Sequence, residues 1–479
     1  MHELQNFIGG TFRPPREDRW YTSDDPASGQ PGTRMPNSTE SDVNDAVDAA
    51  AAAFTTWSKT TLQDRSKILL LIAAGIEAQL EAFAVAESED QGKPISVARQ
   101  IDIPRAIHNF RYFGQHILTE TESVSYGVPQ HMSYTRKMPA GVAALISPWN
   151  LPLYLLTWKI APCLAYGCTC VCKPSEFTSR TASMLCQVLK DAGVPDGVVN
   201  MVFGDGPSAG QPLIEHPQVP LISFTGGTVT GKRIYERAAA CVKRLSLELG
   251  GKNAVLVFDD ADFAKLIPTV VRSSFSNQGE ICLCGSRLFV QRGVYERFVA
   301  ALTEATRQLR VGHPADAATQ MGPLVSKPHY EKVLGYIELA KQLGGTIVTG
   351  GHPVTVPGYE SGYYLAPTII TDVDPSSRIC QEEIFGPVIT ICPFDTEAEA
   401  LRYANDSMYG LSACIWTSHL SRAHRVAAAI QAAYVWINCW MVRDLTMPFG
   451  GMKGSGLGRE GGQDSSHFFC ESKTICLAE

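Results

Sequence analysis

The sequence predicts an α/β protein with largely parallel sheets, and three observations carry that prediction. Short apolar runs alternate with helix-compatible stretches along the whole chain. Gly, Pro or Ser follows each run before the helical pattern begins. The alternation falls into two series that divide near residue 250, so the chain holds more than one α/β unit.

Taken in order, a first helix is expected to begin at Ser41 as its N-cap, because Val43, Val47, Ala50 and Phe54 then share one apolar face. The segment 121–141 (TESVSYGVPQHMSYTRKMPAG) alternates polar and apolar residues between two helical regions, like an exposed β-ribbon. A ribbon of that kind needs a partner edge, which points to an oligomer. VAALIS (142–147), CTCVCK (168–173), VNMVFG (199–204) and PLISFTG (220–226) read as the buried strands of the first series. AVLVF (254–258) opens the second series, which contains the helix in VYERFVAALTEATRQL. Loops rich in Gly and Pro are expected at 25–38, 312–328 and 351–362.

Composition removes several function classes. With 479 residues, 45% apolar and 19% charged, the chain can bury a sizeable core in roughly two to four domains. Its net charge is −7 and no block of Lys or Arg is dense enough to follow a phosphate backbone, so nucleic acid is not an expected partner. Gly141 to Trp158 carries no charge, yet Pro148, Asn150 and Pro152 interrupt it and Lys159 follows. It is expected as buried strand and loop, not as a membrane span. MHELQNFIGG lacks the regions of a signal peptide and KTICLAE carries no retention tag, so a cytoplasmic location is expected. The 14 cysteines are then expected to be reduced and mostly buried. Cys168, Cys170 and Cys172 share a strand face, but no His ligands or CxxC pairs accompany them, and no metal site is expected.

Several motifs suit chemistry on a carbonyl. FTGGTVTG (224–231) follows a strand, where its glycines let backbone N–H groups approach a phosphate at a helix N-terminus; GDGPSAG (204–210) only approximates a dinucleotide fingerprint. In KPSE, Lys173 and Glu176 can both reach a ribose, and a carboxylate there disfavours a 2′-phosphate, hence NAD over NADP. NQGEICLCGSR (277–287) places Cys282 and Cys284 after an Asn-Gln-Gly turn. LELGGKN (247–253) sets Glu248 before a flexible Gly pair, and SPWNLP (147–152) holds Asn150 between two prolines. A thiol to attack an aldehyde, an amide to hold the oxyanion and a carboxylate to activate water are what stepwise aldehyde oxidation requires.

Together with EEIFGPV and PFGGMKGSGLGREGG, these blocks resemble the aldehyde dehydrogenase superfamily, in its order and spacing and over nearly the whole chain. The resemblance implies a Rossmann-like NAD-binding domain (1–118 and 139–249), an α/β catalytic domain (250–449) and an oligomerisation arm (119–138 and 465–479) that builds dimers or tetramers. It implies Cys282 as nucleophile, Glu248 as base and Asn150 as oxyanion donor. Lys173 and Glu176 would hold the adenosine ribose, Gly226 and Gly227 the pyrophosphate, and Glu383 and Phe385 the nicotinamide ribose. Ile146, Ser147, Pro148, Trp149, Ser175, Gly206, Phe224 and Leu249 complete the implied cofactor site. Two positions depart from the pattern: Gly227 stands where the family usually has Ser, and Cys284 where a small residue is usual. NQGEICLC and NCWMVRDLTMPFGG (438–451) are most similar to the 2-aminomuconic semialdehyde dehydrogenase subfamily. That similarity implies an acidic semialdehyde substrate gripped by Arg111 and Arg443, because guanidinium binds carboxylate with two parallel hydrogen bonds. Three alternatives remain open. The first is a broad or retinal-type enzyme with Tyr154, Leu155, Trp158 and Trp440 lining its tunnel. The others are a CoA-acylating enzyme, against which Glu248 speaks, and a non-catalytic binding protein, against which the intact Cys282, Glu248 and Asn150 speak.

Overall fold

The computed structural model of the chain describes residues 1–478. An eight-stranded sheet runs from Gly456–Leu457 through Arg244–Glu248, Leu221–Thr225, Val142–Ile146, Thr169–Lys173 and Val199–Met201 to the hairpin Asn6–Ile8 and Thr11–Arg13. Its five central strands are parallel. Four of them are buried at every residue, which is why their sequences are continuous apolar runs with no alternation. The chain starts this series at Val142–Ile146 and builds outward through Thr169–Lys173 and Val199–Met201. It then returns to the other side with Leu221–Thr225. Such a reversal opens a crevice beyond the carboxyl ends of the two strands that flank it.

A seven-stranded sheet follows, ordered Thr346–Thr349, Thr368–Thr371, Val388–Phe394, Gly285–Gln291, Asn253–Val257, Ser412–Trp416, Tyr434–Ile437 and parallel except at its first strand. Only residues 249–252 separate Arg244–Glu248 of one sheet from Asn253–Val257 of the other. The carboxyl edge of the first sheet therefore adjoins the amino edge of the second, and the crevice opens at that junction.

Val124–Val128 and His131–Pro139 form the expected ribbon, and Cys470–Ala478 adds a third antiparallel strand, paired from Cys470↔Pro139 to Ala478↔His131. Two local expectations need correction. The first helix is Glu40–Trp57 with Thr39 as its N-cap, and Ser41 lies inside it. The Thr39 N–H donates to Asp42 Oδ2 at 3.0 Å, so the reciprocal cap is Thr39 with Asp42. The loop expected at 25–38 contains the strand Gln30–Pro36, in which Gly32 is the extra residue of a bulge between the pairs Ser23↔Thr33 and Asp24↔Pro31. Among the described residues no single helix is long and apolar enough to cross a membrane. The uncharged run 141–158 is the strand Val142–Ile146, a loop, and the start of the wholly buried helix Pro152–Ala165.

Candidate active site

Cys282 lies between a short turn, Ser276–Gly279, and the strand Gly285–Gln291. Asn277 (φ 51°), Gln278 (φ 57°) and Gly279 (φ 72°) are left-handed in succession. Each such non-glycine costs about 1–3 kcal/mol unless its surroundings over-determine it. Here Asn277 Nδ2 donates to Asn150 O (3.0 Å) and Gln278 Nε2 to Pro323 O (3.1 Å). A Cβ on Gly279 would fall 2.4 Å from Gly386 O, so the thiol loop packs directly on the loop that carries Glu383 and Phe385. Asn253 Nδ2 fixes the carbonyls of Cys282 (2.7 Å) and Cys284 (2.8 Å). The Cys282 N–H has no acceptor among the described residues, which leaves it free for an oxyanion.

Glu248 ends its strand with a buried carboxyl whose Oε1 has no partner. Burial and the neighbouring Glu460 push its pKa up to about 7, against the opposing pull of Cys282, Lys159 and Arg443. Burial and Glu248 in turn push the Cys282 thiol well above its ordinary value. Glu248 thus discourages charge on Cys282, whereas the thiol's hydrogen bond favours the ionised carboxyl, so near neutral pH the thiol is neutral and the carboxyl partly ionised. Asn150 Nδ2 donates one hydrogen to Glu280 O (2.8 Å) and keeps a second. The Asn150 main-chain carbonyl accepts from Lys93 Nζ and Asn277 Nδ2, both at 3.0 Å, so the backbone that carries the amide is fixed beside the thiol loop. Cys284 is buried in the core of the second sheet, and burial pushes its thiol up to about 12.

A cavity of about 220 Å³ is lined by Cys282, Glu248, Asn150, Leu249, Glu383 and Phe385, among others. A second, of about 690 Å³, is lined by Ile146, Ser147, Lys173, Ser175, Glu176, Gly206 and Phe224. Pro148, Trp149, Gly226 and Gly227 border both, so every expected cofactor residue faces one continuous cleft at the crevice. The cleft suits a dinucleotide. Gly227 caps the helix Thr228–Ala239 with open space where a Cβ would stand, so an anion can reach that N-terminus. Ser147 Oγ is buried without a partner at its wall. Lys173 Nζ and Glu176 Oε2, 3.4 Å apart, stand at the far end. Glu383 Oε1 accepts the Gly251 N–H at 2.8 Å, and a Cβ on Gly250 would lie 2.3 Å from its Oε2, which is what the Gly pair after Glu248 makes room for.

Sequence reasoning missed Glu280 and His329. Buried Glu280 accepts from Gln91 Nε2 (2.7 Å) and Val325 N (3.2 Å), and His329 Nε2 lies 3.5 Å from it. His329 Nε2 is 2.7 Å from Phe385 O; a carbonyl only accepts, so this nitrogen carries the hydrogen. Burial, then Lys332, lowers the His329 pKa to about 4, which keeps the ring neutral. His329 and Lys332 line the thiol cavity from the helix Lys327–Gln342, whose sequence signals only an amphipathic surface helix.

The two expected carboxylate-binding arginines do not meet. Arg111 is half-exposed and its guanidinium is already paired with Glu77 on a neighbouring helix. Arg105, on the same helix Ile103–His116, stands beside Arg443 instead: both guanidinium groups lie within 6 Å of the Trp158 ring, at 5.8 and 5.9 Å. Arg105 lies near enough to Arg443 that their charges repel, after burial the strongest cationic influence on it. Neither pairs with a carboxylate among the described residues. Arg105 Nη2 and Arg443 Nε are buried with no acceptor, while Asp444 turns instead to the N–H and hydroxyl of Thr446. Tyr154 and Trp158 cover the Arg105 guanidinium at 5.1 and 5.8 Å, and Phe449 lies 3.6 Å from that of Arg443. Trp440 Nε1 is spent on Leu283 O (3.0 Å). The aromatic residues of a greasy tunnel are thus occupied with cations or with packing. Neither arginine borders the thiol cavity itself, but Arg443 acts on Glu248 through charge, so a cationic end and a thiol end stand apart in one site.

A model of the aldehyde dehydrogenase family matches residues 12–475. The chain is 52% identical over 480 residues to the 2-aminomuconic semialdehyde dehydrogenase of Bos taurus, covering 99% of this chain and 98% of that protein. It is 45% identical over 484 residues to the 2-hydroxymuconic semialdehyde dehydrogenase of Pseudomonas sp. (strain CF600), with both chains fully covered. Among solved structures, an aldehyde dehydrogenase from Bacillus cereus in complex with NAD+ superposes with a TM-score of 0.97 at 37% identity. That match covers 100% of this chain and 97% of that one.

Proposed function

The chain belongs to the aldehyde dehydrogenase family and is an NAD-dependent enzyme, and from that premise we propose that it oxidises the aldehyde end of 2-aminomuconic semialdehyde, or its 2-hydroxy analogue, to the acid. Such a step belongs to the breakdown of tryptophan through kynurenine. The observation that carries the substrate class is the pair Arg105 and Arg443, half-buried residues that each hold a buried guanidinium nitrogen with no acceptor and pair with no carboxylate among the described residues. Leaving such cations unpaired is costly, and a substrate carboxylate satisfies both. The curated relatives named for acidic semialdehydes support the same class.

In this reading Cys282 gives up its thiol proton to solvent and the thiolate attacks the aldehyde carbon, while the Cys282 N–H and the Asn150 amide hold the developing oxyanion. Bound NAD supplies the hydride acceptor. Departure of hydride leaves a thioester on Cys282 Sγ, and Glu248 takes a proton from the water that hydrolyses it. Lys173 and Glu176 hold the adenosine ribose, Gly226 and Gly227 admit the pyrophosphate to the helix N-terminus, and Glu383 with Phe385 positions the nicotinamide ribose. The arm, 119–138 with 465–479, joins subunits into a dimer or tetramer. Residues 1–118 with 139–249 and residues 250–449 form the cofactor and catalytic halves.

The test compares Arg105→Ala and Arg443→Ala on 2-hydroxymuconic semialdehyde and on benzaldehyde. Truncating one partner of a buried charge pair costs roughly 3 kcal/mol, so kcat/KM for the acidic aldehyde should fall about 100-fold, chiefly through KM. Equal losses on the neutral aldehyde would sink the reading.

A further inference from the structure

Arg105 is oriented by a residue that no substrate touches. Asn109 sits one helical turn beyond it, fully buried, and three hydrogen bonds define which way its amide faces. Asn109 Nδ2 donates to Tyr154 O and to Thr157 Oγ1, both at 3.1 Å and both on the helix Pro152–Ala165. The Tyr154 carbonyl can only accept, so nitrogen must stand there and Oδ1 must face the other way. Oδ1 accepts the Nε–H of Arg105 at 3.2 Å, and an arginine nitrogen can only donate. Both ends of the amide therefore agree on one orientation.

We propose that Asn109 is the positioning residue that sets substrate specificity, by fixing the Arg105 guanidinium so that its two terminal nitrogens meet the substrate's carboxylate end-on. The proposal rests on the reading of Arg105 and Arg443 as carboxylate holders. A guanidinium offers its two faces, its Nε edge and its distal end. Tyr154 and Trp158 lie 5.1 and 5.8 Å from the guanidinium and Asn109 takes the Nε–H, while Nη2 is buried and unmet. The distal end is thus the part without a partner, and that end matches the two oxygens of a carboxylate. The chemistry of the amide is selective as well. A carboxylate at 109 would neutralise Arg105 and compete with the substrate, and an aliphatic side chain would leave Nε–H without an acceptor. A neutral acceptor orients the cation while leaving its charge for the ligand.

The experiment reads the ratio of kcat/KM for 2-hydroxymuconic semialdehyde to that for benzaldehyde in Asn109→Asp, Asn109→Leu, Thr157→Val and Arg105→Ala, with melting temperatures alongside. In Asn109→Asp and Asn109→Leu the ratio should fall by roughly tenfold or more through KM for the acid, the scale expected when a charged hydrogen-bond partner is displaced. Thr157→Val removes one anchor of Asn109 without touching Arg105 and should move the ratio the same way by a smaller factor. A purely structural role would lower both substrates together with the melting temperature, and that result overturns the proposal. A ratio held at the wild-type value in the Asn109 variants while Arg105→Ala lowers it also overturns the proposal, with the two-arginine reading intact. A ratio unmoved by Arg105→Ala overturns that reading itself. Where the Asn109 variants fail to fold, Thr157→Val decides, and a wild-type ratio there counts against the proposal.

Discussion

At the scale of single residues, the pairing of Cys282 with Glu248 fixes what pH does to turnover. In the proposed mechanism Glu248 must be ionised to activate water, and burial with the neighbouring Glu460 holds its pKa near 7. The hydrolytic rate should therefore fall about tenfold for each pH unit below 7 and level off above it. Glu248→Gln should release about one equivalent of NADH per site and then stall, because forming the thioester needs the thiol but hydrolysing it needs the base. The same substitution removes a negative neighbour that raises the thiol. Alkylation of Cys282 by iodoacetamide at pH 7.5, followed by peptide mass mapping to separate it from exposed Cys241 and Cys476, should then be faster than in wild type. Slower alkylation would mean that Glu248 deprotonates the thiol. Cys282, Glu248 and Asn150 were legible in the sequence because a rare reactive type sat beside Gly or Pro that shape a pocket. Arg105 was not. It and Arg111 lie six residues apart, about 240° around the helix axis, and nothing in the sequence says which of them turns inward. The answer depends on Glu77, on a different helix, which claims Arg111. His329 was hidden for a similar reason: its meeting with Phe385 joins elements far apart in the chain.

Elements were more readable than their ends. Buried parallel strands announced themselves as continuous apolar runs, and the ribbon announced itself by strict alternation. Thr39 and the strand Gln30–Pro36 escaped because a reciprocal cap with Asp42 and a bulge at Gly32 are settled by hydrogen bonds, not by residue preference. The helix Thr228–Ala239 poses the sharpest question at this scale, since Gly227 stands at its cap where the family resemblance leads one to expect serine. Its backbone is ordinary (φ −67°), and a Cβ there would meet nothing within 4 Å. Gly227→Ser should therefore be accepted without strain and should add a hydroxyl toward the pyrophosphate. One hydrogen bond is worth about 0.5–1.5 kcal/mol, so the Kd for NAD, measured by calorimetric titration, should drop roughly three- to tenfold. An unchanged Kd with a raised melting temperature would show that the hydroxyl instead caps the helix, since serine is also a favoured N-cap.

The whole molecule places its chemistry at a seam and an exposed apolar strand on an arm. The thiol cavity draws Glu248, Gly226 and Gly227 from the carboxyl edge of one sheet and Cys282, Glu383 and Phe385 from around the other. The arm stands outside this arrangement. Its outer strand, Val124–Val128, is exposed at every residue, with Tyr126 67% and Val128 60% accessible, and its free edge has no partner among the described residues. A monomer with such an edge invites uncontrolled pairing, and a defined neighbour removes the hazard. Light scattering of the wild-type protein should therefore give a multiple of the 52.0 kDa chain mass. Tyr126→Lys combined with Val128→Lys places two charges on that edge, far from the cofactor cleft, and should return the mass to that of one chain. Because both side chains already face solvent in the single chain, the fold of the subunit has no stake in them, and a loss of mass without a loss of helical signal would assign the effect to association. A wild-type protein that runs as a single chain would remove the arm's role as an interface altogether.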